Sequence, residues 1–436
     1  MCVVQTLSQN QLKVLPKDAR LLEDLQITPS ELAMNWPHNQ PILALIASEA
    51  QNNWSRWSII APATGERIKT HKHDAMMLLE QSIQRKSSES LLPNWIGYLS
   101  YEVGYDIEPV AGNSEASTWP LMDLMWCDRA LVHDNQKNQW WSIGGLEPPT
   151  DFDRDLHMEC HASTLVDPSG DESFLHAVEK TVAYIHAGDI FQANITRRFE
   201  SEVSGNIRQA ALQMLREPGG WFGAWFEFPD DGRYVLSLSP ELFLAVDGTS
   251  RSILTRPMKG TRPEHDDPEL LLQSEKDAAE LHMIVDLMRN DLGRVCEFGS
   301  IEVRGARNLE RHPTVWQCVG EVHGVINRDC SSVDVLKATF PAGSVTGAPK
   351  VRAMQIIDEL ESTPRGPYCG AIGIFGKSMM LNVGIRTALF TGNGSAQSFD
   401  GNLQYSTGCG IVADSLKEDE LLESEVKTHI MRHFSA

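Results

Sequence analysis

The stretch from residue 236 to residue 261 reads LSLSPELFLAVDGTSRSILTRPMKGT. Its two apolar runs flank the turn dipeptide Asp247-Gly248, an arrangement typical of a β-hairpin. Such a hairpin would hold Glu241 and Lys259 at comparable heights on neighbouring strands. A carboxylic acid that faces an amine across a cleft can donate a proton while the amine attacks an electrophile. The alternative is a surface lysine beside a surface glutamate. Motifs elsewhere in the sequence are needed to distinguish a catalytic pair from a surface pair.

The composition is that of an ordinary soluble globular protein, with 436 residues, 42% hydrophobic and 22% charged. The length allows two or three domains, or one large core with an appended subdomain. A net charge of −21 argues against nucleic acid or anionic membrane partners, and a small anionic substrate would need local cations or a bound divalent metal. No signal peptide or membrane-spanning run is predicted, and eight cysteines without a CxxC pair indicate free thiols in the cytoplasm.

One polar, proline-bearing stretch divides the sequence. We predict a β-rich N-terminal region over 1–150, which carries eight of the eleven tryptophans. A linker is predicted over 151–172, and strands alternate with helices over 173–436. The first of these helices is predicted to end at Gly188.

A second long helix is predicted over 274–293 (SEKDAAELHMIVDLMRNDLG) from its apolar spacing. Glu280 shares a helix face with Ile284 and Leu287, which predicts that its carboxylate points inward. The alternative is a helix-edge glutamate whose head reaches solvent.

The segment 341–350 (PAGSVTGAPK) resembles a phosphate loop only superficially, because Gly and Lys are not adjacent and Pro349 lacks a backbone donor. We interpret it as a glycine-rich turn into a helix over 351–361, with Pro349 near the first turn. An anion near Ser344 would suit this helix N-terminus.

Two strands are predicted at 368–375 and 379–389, the second from the alternation of its apolar residues. Arg386 would then point to the opposite face, between the small residues Gly384 and Ala388. That position suits a bidentate grip on a ligand carboxylate. The alternative is an arginine that extends into solvent.

The segment 406–415 (STGCGIVADS) contains two glycines that allow close backbone approach to a ligand, and Asp414 is predicted to cap a helix over 416–434. Glu420, Glu423 and Lys427 share one face of that helix. Together with Glu280 from the other helix, these carboxylates suit Mg²⁺, a hard cation that takes few protein carboxylates. Without Glu280 the same face would be a solvated surface.

These motifs resemble, in order and spacing, the chorismate-binding enzymes: SLSPE, PxKGT, AExxMIVDLMRNDxGRV, PxGSxTGAPKxRAMxIIDELE, YCGxIG, IRT, GxGIVADS and a final ExxE. That family includes anthranilate synthase component I, aminodeoxychorismate synthase component I, isochorismate synthase and salicylate synthase. The likeness is dense from about Val178 onward, and WIGYLSYEVGYD and IASEAQNNWSRWSIIA resemble the family's N-terminal region. It implies an α+β fold of two intertwined subdomains, with large antiparallel sheets packed face to face and helices outside.

The resemblance also implies roles for individual residues. Glu280 and Glu423 match Mg²⁺ ligands, with Glu420 close by through water, and Glu241 matches the acid that protonates the departing 4-hydroxyl. Tyr368 and Arg386 match the pair that grips the enolpyruvyl carboxylate of chorismate. Further substrate contacts are implied for Gly260, Thr261, Ser344, Gly408, Cys409, Gly410 and Lys427.

Two positions separate the branches of the family. Anthranilate synthases usually carry alanine in the motif PIAGT, whereas many aminodeoxychorismate synthases carry lysine, as Lys259 does here. The water-activating lysine of isochorismate and salicylate synthases is replaced by Gln192, which cannot act as a base. The resemblance therefore implies a transaminase-class enzyme that makes 4-amino-4-deoxychorismate for para-aminobenzoate and folate synthesis, through a covalent lysine adduct. The alternatives are an anthranilate-type lyase and a degenerate chorismate-binding homologue.

The chain departs from the family pattern in three places. Gln317 replaces the usual active-site histidine, and Trp221-Phe-Gly223 replaces a Pro-Phe-Ser tripeptide that helps line a tryptophan pocket in bacterial relatives. The candidate tryptophan-binding residues are Ser48, Trp54, Ser55, Arg56, Trp57, Trp221, Phe222 and Gly223. No glutaminase nucleophile motif is present, so a separate glutamine amidotransferase subunit is implied as the partner that supplies ammonia.

Overall fold

The computed structural model describes residues 14–47, 55–109, 117–150, 159–216, 220–263, 265–311 and 315–434. These residues form two large antiparallel sheets that pack face to face, with helices on the outer faces. The predicted fold class is thereby confirmed. None of the helices in these ranges is long and apolar enough to cross a membrane.

Strands and helices are numbered in chain order. The larger sheet has twelve strands among the described residues: β1 Arg20–Leu22, β2 Ile42–Ile46, β3 Trp57–Pro62, β7 Ala130–Asp134, β8 Gln139–Ile143, β9 Cys160–Ala162, β10 Gln192–Gly205, β11 Phe222–Phe228, β12 Arg233–Ser239, β18 Gly347–Ala348, β21 Thr387–Ser395 and β22 Ser398–Ile411. Their order is β1-β8-β7-β3-β2-β11-β12-β21-β22-β10-β18, with β9 also pairing with β10.

The second sheet has ten strands in the described part of the chain: β4 Arg67–Thr70, β5 Asn94–Leu99, β6 Met122–Cys127, β13 Leu242–Val246, β14 Ser252–Arg256, β15 Met258–Pro263, β16 Glu302–Arg311, β17 Val315–Val325, β19 Ala371–Phe375 and β20 Met379–Val383. Their order is β15-β17-β14-β13-β20-β19-β5-β6-β4, with β16 also pairing with β17. Each sheet contains a block of strands from 1–150 and a block from 173–436, joined where β2 pairs with β11 and where β5 pairs with β19, so the two regions share both sheets.

The helices are α1 Pro29–Met34, α2 Ala75–Arg85, α3 Val103–Ile107, α4 Asp171–Ala187, α5 Ile207–Arg216, α6 Glu269–Gln273, α7 Glu275–Gly293, α8 Ser332–Thr339, α9 Lys350–Leu360 and α10 Lys417–Val426. Short 3-10 turns cover Pro229–Asp231, Gly343–Val345 and Lys427–His433. The helix predicted to end at Gly188 and the helix predicted over 274–293 correspond to α4 and α7, and Gly188 ends α4 in the left-handed conformation.

Three apolar clusters hold the layers together. Between the sheets, Leu43 and Phe226 of the larger sheet pack in one cluster with Ile96 and Ile372 of the other. A second cluster joins the outer face of the larger sheet to α1 and α5. The third joins the ten-stranded sheet to α2, α7 and α8 and extends to α4, α9 and strands β10 and β22 of the larger sheet. Each sheet therefore buries both faces, as a helix–sheet–sheet–helix stack requires.

Two sequence predictions are wrong in detail. The predicted strand over 379–389 is two strands, β20 and β21, which belong to different sheets and are separated at 384–386. A methyl group on Gly384 would come within 2.4 Å of the Pro367 carbonyl oxygen, so a neighbouring loop occupies the space that a continuous strand would need. The predicted helix over 416–434 becomes 3-10 after Val426, and Leu416 rather than Asp414 is its N-cap.

Candidate active site

Lys259 and Glu280 meet at the edge of the ten-stranded sheet. Lys259 lies on β15, and its Nζ is 3.4 Å from Oε2 of Glu280 on α7. The two side chains are only 18% and 12% exposed. The inward orientation predicted for Glu280 is therefore confirmed. Gly260 adopts a φ of +82° where the β15–β17 register shifts, a backbone conformation that glycine adopts without strain.

Glu241 lies immediately before β13 and is 4% exposed. The hairpin predicted around Asp247-Gly248 is present as β13 and β14, but Lys259 lies beyond it on β15, so the two residues are not on adjacent strands. They still interact. Burial raises the pKa of Glu241 to about 7, against the opposing influence of the Ser344 hydroxyl and the Lys259 ammonium. A carboxyl group with this pKa is partly protonated at neutral pH and can act as a general acid.

Two glycines of β22 lie against polar side chains of the site. A methyl group on Gly410 would come within 2.5 Å of Lys259 Nζ and 2.9 Å of Gln192 Nε2. A methyl group on Gly408 would come within 2.8 Å of Asn194 Nδ2 and 3.1 Å of the Tyr368 hydroxyl. Any side chain at either position would displace these groups. The close backbone approach to a ligand predicted for this segment stays a prediction, and polar side chains of the protein lie against both glycines.

Tyr368 and Arg386 are held by two interlocked loops. The Cys369 amide donates to the Gly384 carbonyl, and the Gly384 amide donates to the Gly370 carbonyl, both at 2.9 Å. Cys369 and Arg386 have φ values of +61° and +49°, an unusual conformation for residues with side chains. The backbone is therefore strained at Cys369 and Arg386, in the loops that orient the Tyr368 and Arg386 side chains.

Burial raises the pKa of Tyr368 well above its usual value, so the phenol stays a donor, and burial lowers the pKa of the Arg386 guanidinium. Among the described residues, no carboxylate forms an ion pair with Arg386, which leaves its guanidinium able to pair with a ligand anion. Gln317, at the position of the family histidine, donates from Nε2 to the Thr261 hydroxyl at 3.4 Å.

A carboxylate cluster lies on α10. One ligating atom from each of Cys409, Glu420 and Glu423 lies within 4.8 Å of the others. Glu423 also pairs with Lys427 at 2.7 Å, and the Lys427 ammonium donates to the Gly408 carbonyl at 2.6 Å. Two carboxylates at this spacing fit a hard divalent cation, whereas the Cys409 thiol is not a ligand that Mg²⁺ prefers. Glu280 is outside this cluster and faces Lys259, so the three-carboxylate metal site stays a prediction.

Sequence reasoning missed two polar residues of the cleft. Asn194 is two residues beyond Gln192 on β10, and its amide lies against Gly408. Asp277, one turn before Glu280 on α7, has its carboxyl carbon 3.1 Å from the position of a methyl group on Gly260. The period-2 spacing of Gln192 and Asn194, and the i to i+3 spacing of Asp277 and Glu280, were the available signals.

The candidate tryptophan-binding residues lie elsewhere. Ser48 and Trp54 fall outside the described residues. The other six line a second cleft of about 410 Å³, including its open mouth, together with Leu45, Ile46, Ala47, Ile372, Gly373, Met380 and Asn382. The Ser55 hydroxyl donates to the Trp221 carbonyl at 2.6 Å, and Asn382 donates to the Phe222 carbonyl at 2.7 Å. The predicted residues thus share one cleft, and its ligand stays a prediction.

Among the described residues, the site around Lys259 and the adjoining segment of β22 combines a buried acid, an amine and a pair of metal-compatible carboxylates, with an arginine that has no carboxylate partner in the loop beside Tyr368. Such a combination defines an enzyme for a small anionic substrate. Residues 44–433 match the family model described as chorismate binding enzyme. The chain belongs to this family.

Relatives from two branches are similar to the chain. Aminodeoxychorismate synthase component 1 of Klebsiella aerogenes is 34% identical, and the alignment covers 85% of this chain and 84% of the relative. Anthranilate synthase component 1 of Aquifex aeolicus is 30% identical over 97% and 94% of the two chains. Among solved structures, anthranilate synthase component I from Streptococcus pneumoniae TIGR4 superposes with a TM-score of 0.74 at 27% identity, covering 88% of this chain and 93% of that one.

Proposed function

We propose that this chain converts chorismate and ammonia to 4-amino-4-deoxychorismate, an aminodeoxychorismate synthase component I activity that would serve para-aminobenzoate and folate synthesis. The observation that carries the proposal is the Lys259 amine, which lies in the cleft 3.4 Å from Glu280 and close enough to Glu241 to affect its protonation. The carboxylic acid, which holds its proton near pH 7, can protonate a departing hydroxyl group while the neighbouring amine acts as a nucleophile. Together these two groups can replace a hydroxyl group by nitrogen.

The chemistry divides into two substitutions. Once the Lys259 ammonium has released a proton to solvent, the neutral amine attacks C2 of the ring while the 4-hydroxyl accepts the Glu241 proton and leaves as water. Ammonia then forms a bond to C4, the bond between C2 and Lys259 breaks, and the proton lost by the new ammonium group returns to Glu241. The net change is chorismate plus ammonia to aminodeoxychorismate plus water, with both residues restored.

The other cleft residues would bind and orient the substrate. Tyr368 and Arg386 would grip the enolpyruvyl carboxylate, and the strained loops that aim them favour one orientation. Mg²⁺, held by Glu423 and Glu280 with Glu420 nearby, would neutralise the ring carboxylate. Gln192 lies beside Lys259 where a base would activate water, and because an amide is not a base, the geometry favours ammonia.

Product identification tests the proposal. The purified chain is incubated with chorismate, Mg²⁺ and ammonium, and the products are separated and weighed by mass spectrometry. We expect a product that has exchanged a hydroxyl for an amino group and kept its enolpyruvyl side chain. Anthranilate with free pyruvate would instead assign the chain to the anthranilate branch, which its Aquifex aeolicus relative represents, and recovery of unchanged chorismate would favour a degenerate homologue.

Nitrogen supply gives an independent test. Because the sequence contains no glutaminase motif, the chain alone should use ammonium and remain inactive with glutamine. Addition of a glutamine amidotransferase subunit should make glutamine an effective donor. Glutamine-dependent product from a preparation shown to be free of such a subunit would contradict this part of the proposal.

A further inference from the structure

Arg197 is a buried arginine of β10 that the proposed chemistry does not use. Its side chain is 2% exposed, and its three nitrogens each have a partner. Nε donates to Asp167 at 2.9 Å, Nη2 donates to Asp171 at 2.5 Å, and Nη1 donates to the Ser424 hydroxyl at 3.2 Å. The guanidinium also lies 5.5 Å and 5.0 Å from the ring centres of Phe174 and Phe199. A planar fork held this way has one available orientation.

Ser424 places this network on the helix that carries the metal-compatible carboxylates. It is fully buried on α10, directly after Glu423, and its hydroxyl donates back to the Leu421 carbonyl at 2.6 Å. The start of α10 has no side-chain cap, and its end passes into a 3-10 turn. A helix of 10 residues is marginal without tertiary contacts, so the contact at Ser424 restrains the helix that carries Glu420 and Glu423.

The charges support the same interpretation. Asp167 and Asp171 balance the buried guanidinium, and Glu425 is 3.9 Å from Nη1. None of these three carboxylates belongs to the cluster with Cys409. Arg197 therefore pairs with Asp167, Asp171 and Glu425, and leaves Glu420 and Glu423 to the cluster with Cys409.

We infer that Arg197, acting through Ser424, is a positioning residue that holds Glu420 and Glu423 in the geometry for binding a divalent cation. The inference rests on the metal site of the proposed function. Residues that orient metal ligands typically contribute about 10- to 100-fold to metal affinity.

The experiment measures metal binding directly, without substrate. Mn²⁺ is used as the probe for the Mg²⁺ site, and the free ion is followed by electron paramagnetic resonance in the wild type, Arg197→Lys and Ser424→Ala. Arg197→Lys keeps the charge but loses the fork, and Ser424→Ala removes only the contact on α10. We expect the dissociation constant to rise about 10-fold or more in each variant. When Mg²⁺ competes with Mn²⁺ for the site, the dissociation constant for Mg²⁺ should also be higher in the two variants than in the wild type.

Arg208→Lys is the matched control. Arg208 is also a buried arginine, paired with Glu227 at 2.6 Å, but its hydrogen bonds are to Glu227 and to the carbonyls of Trp36, Pro37 and Gln40. A general loss of stability would affect this control as much as Arg197→Lys, whereas a positioning role would leave its metal affinity unchanged.

Three results would overturn the inference or its basis. Wild-type Mn²⁺ affinity in folded Arg197→Lys and Ser424→Ala would reject the positioning role and leave the proposed metal site intact. If Arg197→Lys fails to fold, unchanged affinity in Ser424→Ala rejects the role by itself. Absence of Mn²⁺ and Mg²⁺ binding by the wild type would reject both the role and the metal part of the proposed function.

Discussion

The two clefts of this protein differ in what lines them. Around Lys259, ionisable groups are brought together at short range, and burial holds the Glu241 pKa near 7. Around Ser55 and Trp221, the walls are largely apolar, and Ser55 and Asn382 donate hydrogen bonds to the backbone carbonyls of Trp221 and Phe222, with a further bond from Asn382 to the Ser237 hydroxyl. Burying ionisable groups is energetically unfavourable, so their presence in the first cleft indicates a site for chemistry or ion binding. The second cleft has a largely apolar surface that is suited to binding a ligand.

One strand connects the two clefts. Asn382 of β20 lines the second cleft, while the next residue, Val383, donates its amide to the Glu241 carbonyl at 3.1 Å. The Ser239 hydroxyl also donates to the Val383 carbonyl at 2.7 Å. One peptide bond and one backbone hydrogen bond therefore connect the two clefts. Substitutions in the two clefts can test whether the clefts differ in function as clearly as they differ in the residues that line them.

The largest effect is expected from Glu423→Gln and Glu280→Gln. Each removes a charge from a site proposed for a divalent cation, whose contribution of several kcal/mol corresponds to a loss of turnover of about 1,000-fold or more. Mn²⁺ affinity should fall with turnover, and circular dichroism should show a folded chain. Mg²⁺-dependent turnover retained in both variants would contradict the metal assignment.

Lys259→Ala should have the next largest effect. We expect amination to slow by about 100- to 1,000-fold, with residual activity because ammonia can attack the ring directly. In the wild type without ammonia, the peptide that carries Lys259 should gain the mass of chorismate minus water, and the variant should not. If Lys259→Ala forms aminodeoxychorismate at the wild-type rate, Lys259 is not a nucleophile and contributes only its charge to the pocket.

Glu241→Gln tests the acid. Because the pKa is raised to about 7, wild-type turnover should fall as pH rises through that value, and the variant should lack this limb while losing roughly 100-fold in rate. The free energy of unfolding should also decrease as pH rises. The folded state binds the proton more tightly than the unfolded state, so stability is highest below the ordinary pKa and falls as pH rises through 7. The cost above pH 7 is on the order of 3 kcal/mol.

Denaturant titrations at pH 5 and pH 8 measure this cost. The wild type should lose stability between the two values, and Glu241→Gln should lose less because an amide does not ionise. A wild-type turnover profile that stays flat across pH 7, together with equal pH dependence of the two unfolding free energies, would show that Glu241 is not the titrating acid.

The smallest effect on turnover is expected in the second cleft. Ser55→Ala removes the hydrogen bond to the Trp221 carbonyl, which should lower the unfolding free energy by about 1 kcal/mol and change turnover less than about twofold. L-tryptophan, the ligand implied by resemblance, should raise the melting temperature of the wild type more than that of the variant. A tenfold loss of turnover without ligand would remove the functional distinction between the clefts.

Helical periodicity and turn chemistry made part of this site predictable. Glu280 lies on a long helix whose apolar spacing is regular, so its inward direction could be inferred before any contact was known. The hairpin at Asp247-Gly248 was predictable from the turn dipeptide. Both signals are local, since the residues that determine the conformation lie within a few positions of each other.

Features set by distant segments could not be predicted. Arg386 leaves the alternating pattern because the loop at Pro367 occupies the space beside Gly384, which no local pattern records. Arg197 has partners at 167, 171 and 424, and nothing in its own strand indicates them. The family motifs identified most cleft residues, but which of them contact each other depends on the packing of separate strands.

The pairing of early strands with late strands in both sheets has a consequence for synthesis on the ribosome. Strand β2 pairs with β11, and β5 pairs with β19, so both early strands wait for partners made much later. Strand β10 remains unpaired on one side until β22, the last strand of the larger sheet, leaves the exit tunnel. Such long-range pairing is slow and leaves strand edges open to other chains. A nascent chain of this protein is therefore expected to need chaperone protection until it is nearly complete.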